Sequence, residues 1–246
     1  TALNFVREAM PFLCIAAIFQ KDPVVLIGHP GTGLTGFEAL RGRTILISAE
    51  PRVTWWPFVR EKFGLSDDQV RPYTFNLQPF LADRRIVQQG YLGSEPFSIR
   101  QQGIEPVVLL VHDAGFENYG TTINVGARTL AERREVIQRF VDATLRGWDQ
   151  YLKGPAGGFD TAGANRLIRE QNPEMTEELI AFGTRMMNDQ GIVRSGDAAT
   201  LGIGAMTEER WGRFHASVAA VGVLPGDLDW RRAFDLSLVN RGSGRA

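Results

Sequence analysis

One cysteine, Cys14, is all the thiol this 246-residue chain carries, which excludes an internal disulfide framework and a multi-cysteine metal centre. Histidine is almost as scarce. His29, His112 and His215 are the only three, none has a second histidine at metal-ligand spacing, and each reads as a surface or strand-end residue. Neither sign of charge dominates: the formal net charge is −1 and the sequence pI is about 6.3, so the basic field that nucleic acid or an anionic membrane attracts is missing. Long apolar runs are missing too. The longest, Phe12–Phe19 and residues 107–111, fall far short of the ~20 residues a membrane-crossing helix needs. There is no Gly-x-Ser-x-Gly elbow, and Cys14 lies inside an apolar run where packing is its natural role. These absences point away from catalysis, and no cofactor, metal ligand or catalytic residue is expected.

What is present is an ordinary globular composition, 43% apolar and 22% charged, with length for one large domain or two lobes of about 100 residues each. Residues 2–10 read as the end of a helix, Phe12–Phe19 as a buried strand and Val24–Gly28 as a second. Residues 43–48, 86–93 and 107–111 are further strand candidates. Between them Thr54 reads as an N-cap, opening a helix with Pro57 in its first turn and Gly64 at its end. This alternation predicts an α/β layer structure. Beyond residue 125 the period becomes helical. Thr129 and Glu132 read as a capping box, and Ile137, Phe140, Val141, Thr144, Leu145, Trp148 and Leu152 trace one helical face. Residues 176–188 and 208–221 repeat the pattern and stop at Gly191 and Gly222.

The loudest local motif is Gly31-Thr32-Gly33-Leu34-Thr35-Gly36, formally the Gly-x-Gly-x-x-Gly of dinucleotide folds. Only residues 37–41 separate it from the Gly42-Arg43 that opens the next strand. Five residues make little more than one helical turn, too short for a parallel crossover, so the motif reads as a loop.

More informative is a set of polar and aromatic residues at strand-to-loop junctions, where open α/β sheets bind ligands. Ser48 follows one strand, and Trp55 and Trp56 open the next helix. Asn76 sits in a loop, Tyr91 and Glu95 close another β segment, and Asp113 and Tyr119 follow the last. Aromatic walls with a few oriented polar groups suit a flat, heteroatom-bearing molecule. Phe75, Phe80 and Phe97 read instead as core.

Read in order, Ala16-Ala17-Ile18-Phe19-Gln20-Lys21-Asp22-Pro23, Leu40-Arg41-Gly42-Arg43-Thr44-Ile45, the stretch Gln88–Phe97, Asn172-Pro173-Glu174-Met175-Thr176, Ser195-Gly196-Asp197 and Gly222-Val223-Leu224-Pro225 resemble the NMT1/THI5-like solute-binding proteins over nearly the whole chain. The resemblance implies a two-lobed periplasmic-binding-protein fold of type II with a ligand cleft between the lobes and a helical C-terminal part. One lobe would be residues 24–111 and the other 1–23 plus 113–246. Family members usually carry a further N-terminal segment, so this second lobe is expected to be incomplete at its start. The implied function is the solute-binding component of an ABC importer. It would work in the periplasm, capturing a small heterocycle such as a thiamine-pyrimidine precursor for a permease and ATPase complex, without enzymatic activity, nucleic-acid contact or a membrane span. Glu95 matches an acidic residue that faces the ligand's amino group in pyrimidine-binding relatives. Ser48 to Trp55 match a segment leading into a helix N-terminus, which would favour an anion instead. Sulfonate, taurine or nitrate binding is therefore the alternative. A pyrimidine synthase-like enzyme is disfavoured, because Pro96-Phe97-Ser98-Ile99-Arg100 follows Glu95 without the expected cysteines.

Overall fold

β-Branched runs become strands and the periodic segments become helices. The computed structural model describes residues 2–244, beginning with α1 (Leu3–Arg7), β1 (Phe12–Phe19) and β2 (Val24–Gly28). There follow β3 (Ile45–Ile47), α2 (Trp56–Phe63), β4 (Val70–Pro72), α3 (Gln78–Ala82), β5 (Val87–Tyr91), α4 (Glu95–Arg100) and β6 (Val107–Leu110). After β7 (Gly120–Gly126) the chain turns helical: α5 (Ala127–Glu132), α6 (Arg134–Lys153), α7 (Ala162–Gln171), α8 (Glu177–Asp189), α9 (Ala198–Leu201) and α10 (Glu208–Ala220). The chain divides into two compact units. The first combines Thr1–Asp22, Asn118–His215 and Asp227–Ala246; the second combines Pro23–Glu117 with Ala216–Gly226. Thr1, Arg245 and Ala246, at the ends of the lobe drawn from sequence, lie outside the described residues. The last turn of α10 goes with the second unit, whereas the sequence division kept everything after 113 together.

The second unit is built on a five-stranded sheet in the order β4-β3-β5-β2-β6. β3 runs parallel to β4 and β5, and β2 runs antiparallel to both β5 and β6. Four strands therefore point one way with β2 reversed among them. In consequence the carboxyl ends of β3, β4, β5 and β6 lie at the end of the sheet where the chain enters at Pro23. Val25, Leu26, Ile27, Ile45, Ile47 and Val87 are buried almost completely, as expected for strands covered on both faces. The formal glycine motif ends in a single tight turn, Phe37–Leu40, and has no crossover helix.

In the first unit β1 pairs antiparallel with β7, from Phe12↔Gly126 to Phe19↔Gly120. The other edge of β1 is closed by loop backbone: Asp235 N–H donates to the Cys14 carbonyl and Ala17 N–H to that of Gly204. Cys14 is buried and its thiol is pushed up to about 12 by desolvation.

Three local expectations are corrected. Thr54 caps no helix: it follows a short turn, its hydroxyl donates to the Glu50 carbonyl, and α2 starts two residues later. Thr129 and Glu132 lie inside α5 rather than capping the next helix. Phe140 stands on the solvent side of α6, 59% exposed, while Val141, Leu145 and Leu152 face the core. In the first two cases an extra turn precedes the helix, and the residue with a capping side chain falls within it. His29 stands at the end of β2 as expected, but buried, its ring stacked on Phe80 at 4.2 Å and its Nε2 2.8 Å from the Phe80 carbonyl; His215 is buried within α10, neither at the surface nor at a strand end.

Candidate functional site

At the carboxyl ends of β3, β4 and β5 the second unit gathers a set of polar and aromatic groups. β5 carries Gln88 and Gln89 in its buried middle and ends at Gly90-Tyr91. The chain then turns through Leu92-Gly93-Ser94 into α4, whose first residue is Glu95. The turn brings the Glu95 carboxylate back onto the strand it has just left. Oε2 accepts the Tyr91 backbone N–H at 2.8 Å and the Ser94 hydroxyl at 2.5 Å; among the described residues Oε1 receives only a long bond from the Tyr73 hydroxyl at 3.4 Å. Gly90 makes this return possible. A Cβ there would lie 2.7 Å from the Ile27 Cδ1 and 2.9 Å from the Glu95 Cβ, well inside ordinary contact.

Tyr73 is set by β4, just past its end, where its N–H donates to the Ile47 carbonyl at 3.1 Å. Its side chain is buried. Burial first, and the Glu95 carboxylate second, push its phenol above the usual tyrosine range, so it stays protonated and able to donate. Beside it lies Phe75, ring centroids 5.1 Å apart at 50°, with 71% of the residue exposed. Tyr91 is also exposed. Gln88 is fully buried next to Tyr73, and neither atom of its amide makes a hydrogen bond of normal geometry among the described residues. Ser48, at the end of β3, gives its backbone N–H to Gln89 Oε1 at 2.6 Å.

The structure thus brings Ser48, Tyr91 and Glu95 to one end of one sheet. Asp113 is exposed on the turn after β6, at the same end but two strands from β5. Asn76 is exposed and its Oδ1 accepts the N–H of Gln78, the first residue of α3. Trp55 and Trp56 are placed inside the unit, 4% and 1% exposed. The Trp56 indole N–H donates to Asp67 at 2.7 Å and, as the chief cause, lowers that carboxyl's pKa. The Trp55 indole N–H finds no partner among the described residues. Tyr119 belongs to the first unit, where its hydroxyl donates to Asp197 and accepts the Thr207 N–H and Arg210 stacks on its ring at 4.2 Å. Sequence reasoning missed Tyr73 and Gln88, and it read Phe75 as core. Tyr73 carries a signal that a pattern search does not weigh: the first residue past a parallel strand is a tyrosine.

Elsewhere, open apolar cavities of about 330 and 390 Å³ lie against α6 and α7 in the first unit, both touching Tyr151. They hold no charged group apart from surface residues at the rim of the larger one. Among the described residues no group of three or more His, Cys, Asp or Glu side chains is arranged to hold a metal ion, and no helix is long and apolar enough to cross a membrane.

A mixed sheet with one reversed strand, polar groups at its carboxyl ends and a chain that leaves one unit and returns to it define the class. This is the type II fold of periplasmic binding proteins. The periplasmic aliphatic sulphonate binding protein SsuA of Escherichia coli shares it at a TM-score of 0.54 and 13% identity, over 95% of this chain and 72% of that one. The ligand-binding component of an ABC-type import system from Staphylococcus aureus does so at 0.62 and 12%, over 99% and 78%. The fold also serves a desulfurization enzyme, DszB, at 0.53 and 12%, over 98% and 82%. The family model described as NMT1/THI5 like matches residues 3–157, and the chain belongs to that family. In sequence it is 25% identical to the riboflavin-binding protein RibY of Chloroflexus aurantiacus, over 96% of this chain and 67% of that protein.

Proposed function

We propose that this protein is the solute-binding component of an ABC importer, capturing a planar nitrogen heterocycle that presents an N–H or amino group to Glu95 and delivering it to a membrane permease and its ATPase in the periplasm. The observation that carries this is the Glu95 carboxylate itself. It is half-buried, fixed through Oε2 by Tyr91 and Ser94, and leaves Oε1 with one long bond. A carboxylate held in place with acceptor capacity to spare recognises N–H donors through charge-assisted bonds and repels sulfonate or nitrate. The anion reading leaned on free backbone N–H groups between Ser48 and the start of α2. Against that reading, the Ser48 N–H is already bonded to Gln89 Oε1.

Thiamine-type aminopyrimidines follow from the family and flavins from the RibY relative; both offer N–H donors on a flat ring. The test is titration of the purified protein, by calorimetry and by quenching of flavin fluorescence, with an aminopyrimidine, riboflavin, taurine and nitrate. We expect one of the two heterocycles to bind and both anions to fail. Glu95→Gln, which keeps the shape and removes the charge, should weaken the heterocycle at least about tenfold. Binding of an anion with no heterocycle bound would overturn the reading, and turnover of a bound heterocycle would make the protein an enzyme.

A further inference from the structure

Phe75 is not explained by the packing of its own unit. Its φ is +61°, the left-handed region that glycine or asparagine occupies far more readily than an aromatic residue. Strain of this kind persists only where the surroundings fix it, and it clusters at ligand sites. Nor is the ring hidden as compensation, since 71% of the residue is exposed. The loop is not slack. On one side the Tyr73 N–H is bonded to β3 and on the other the Asn76 side chain accepts the Gln78 N–H where α3 begins. Between these anchors the Phe75 ring rests on Tyr73, whose hydroxyl reaches Glu95.

We propose that Phe75 is a specificity-determining wall that stacks on one face of the ligand while Glu95 takes its polar edge, so that the site selects aromatic rings over aliphatic amines. This rests on the reading of Glu95 as a heterocycle-binding carboxylate and adds a second requirement to it. A carboxylate alone would take any amine; a carboxylate beside a fixed, exposed aromatic face favours a flat ring, by stacking in offset or edge-on geometry.

Two variants test it, each titrated with an aminopyrimidine and with riboflavin beside an aliphatic diamine as control. Phe75→Leu keeps an apolar side chain but removes the aromatic face. Phe75→Gly relieves the left-handed backbone, so its unfolding midpoint should match or exceed that of Phe75→Leu, where a residue with only a packing role would show the reverse order. We expect Phe75→Leu to bind the heterocycle about two- to tenfold more weakly and Phe75→Gly at least as weakly, with Phe75→Leu folding as the parent does. Full heterocycle affinity in folded Phe75→Leu overturns the proposal while leaving the Glu95 reading intact. So does diamine binding by the unaltered protein as tight as that of the heterocycle. Failure of the unaltered protein to bind either heterocycle overturns the Glu95 reading, and this proposal with it.

Discussion

Tyr73 and Tyr119 are each buried against a carboxylate, Glu95 in one unit and Asp197 in the other. Burial first, and the hydrogen-bonded carboxylate with it, raise both phenols above the ordinary tyrosine range. A group with a folded-state pKa above its unfolded value gives stability that is complete below the unfolded pKa and disappears as pH climbs toward the folded one. Since unfolded tyrosine titrates near pH ~10, the protein should lose stability above that pH, and Tyr73→Phe or Tyr119→Phe should reduce the loss. Urea melts at about pH 9 and about pH 11 would show it; an equal loss in the parent and both variants would contradict the assignment. Trp56 supplies a second test. Trp56→Phe removes a buried ring edge and the bond to Asp67, so it should cost roughly 1–3 kcal/mol in a denaturant melt. A neutral result would mean the site relaxes around the smaller ring.

At the scale of elements, two glycines do different work. Gly64 ends α2 at φ +62°, its N–H bonded to the Glu61 carbonyl while Leu65 N–H reaches Arg60. Gly64→Ala should therefore cost about 1 kcal/mol of stability with ligand affinity unchanged. Gly90 lies where a Cβ would strike both Ile27 and Glu95. Gly90→Ala should move the Glu95 carboxylate and weaken ligand binding several-fold, which titration beside Gly64→Ala would separate from a general loss of stability. These elements also show what could be read in advance. Phe12–Phe19 and Val24–Gly28 coincide with the observed strands because β-branched, apolar runs admit few alternatives. Thr176, the first residue of the periodic stretch 176–188, caps α8 by accepting the Leu179 N–H. Thr54 and Thr129 misled because a capping side chain marks a helix start only when no extra turn precedes it. In the candidate site, the place of Glu95 just after β5 was legible, whereas the neighbourhood of Tyr73 and Gln88 was not. Their roles depend on β3, β4 and β5 being neighbours, and pairing across forty residues leaves no local trace.

At the scale of the molecule, Arg210 is the charge held deepest in the first unit. Its guanidinium donates to the Gln20 side chain and carbonyl and to the Asn118 carbonyl, lies 3.7 Å from Asp197 and stacks on Tyr119. Gln20 ends the run through β1 and Asn118 begins the run into β7, so one side chain ties two segments almost a hundred residues apart. Arg210→Met should destabilise the protein by about 3–5 kcal/mol, because the buried Gln20 side chain and the Gln20 and Asn118 carbonyls lose their donor and Asp197 its nearby cation. The loss should appear in thermal melts, and little change would show that these groups are solvated instead.

β1 and β7 pair up to Phe19↔Gly120, and the Asn118 amide donates to Asp22 at 2.7 Å. The polypeptide thus leaves the first unit and returns to it at adjacent points, with Pro23–Glu117 strung between them. In the language of gene assembly, that stretch is a cassette inserted into the loop of a hairpin. Such a cassette carries the whole sheet of the second unit and lacks only Ala216–Gly226, which the host supplies, so exchange at two neighbouring junctions would break no strand of the host. Glu95, Tyr73 and Phe75 all lie inside it, so under the proposed reading of the site these ligand groups would travel together as one block.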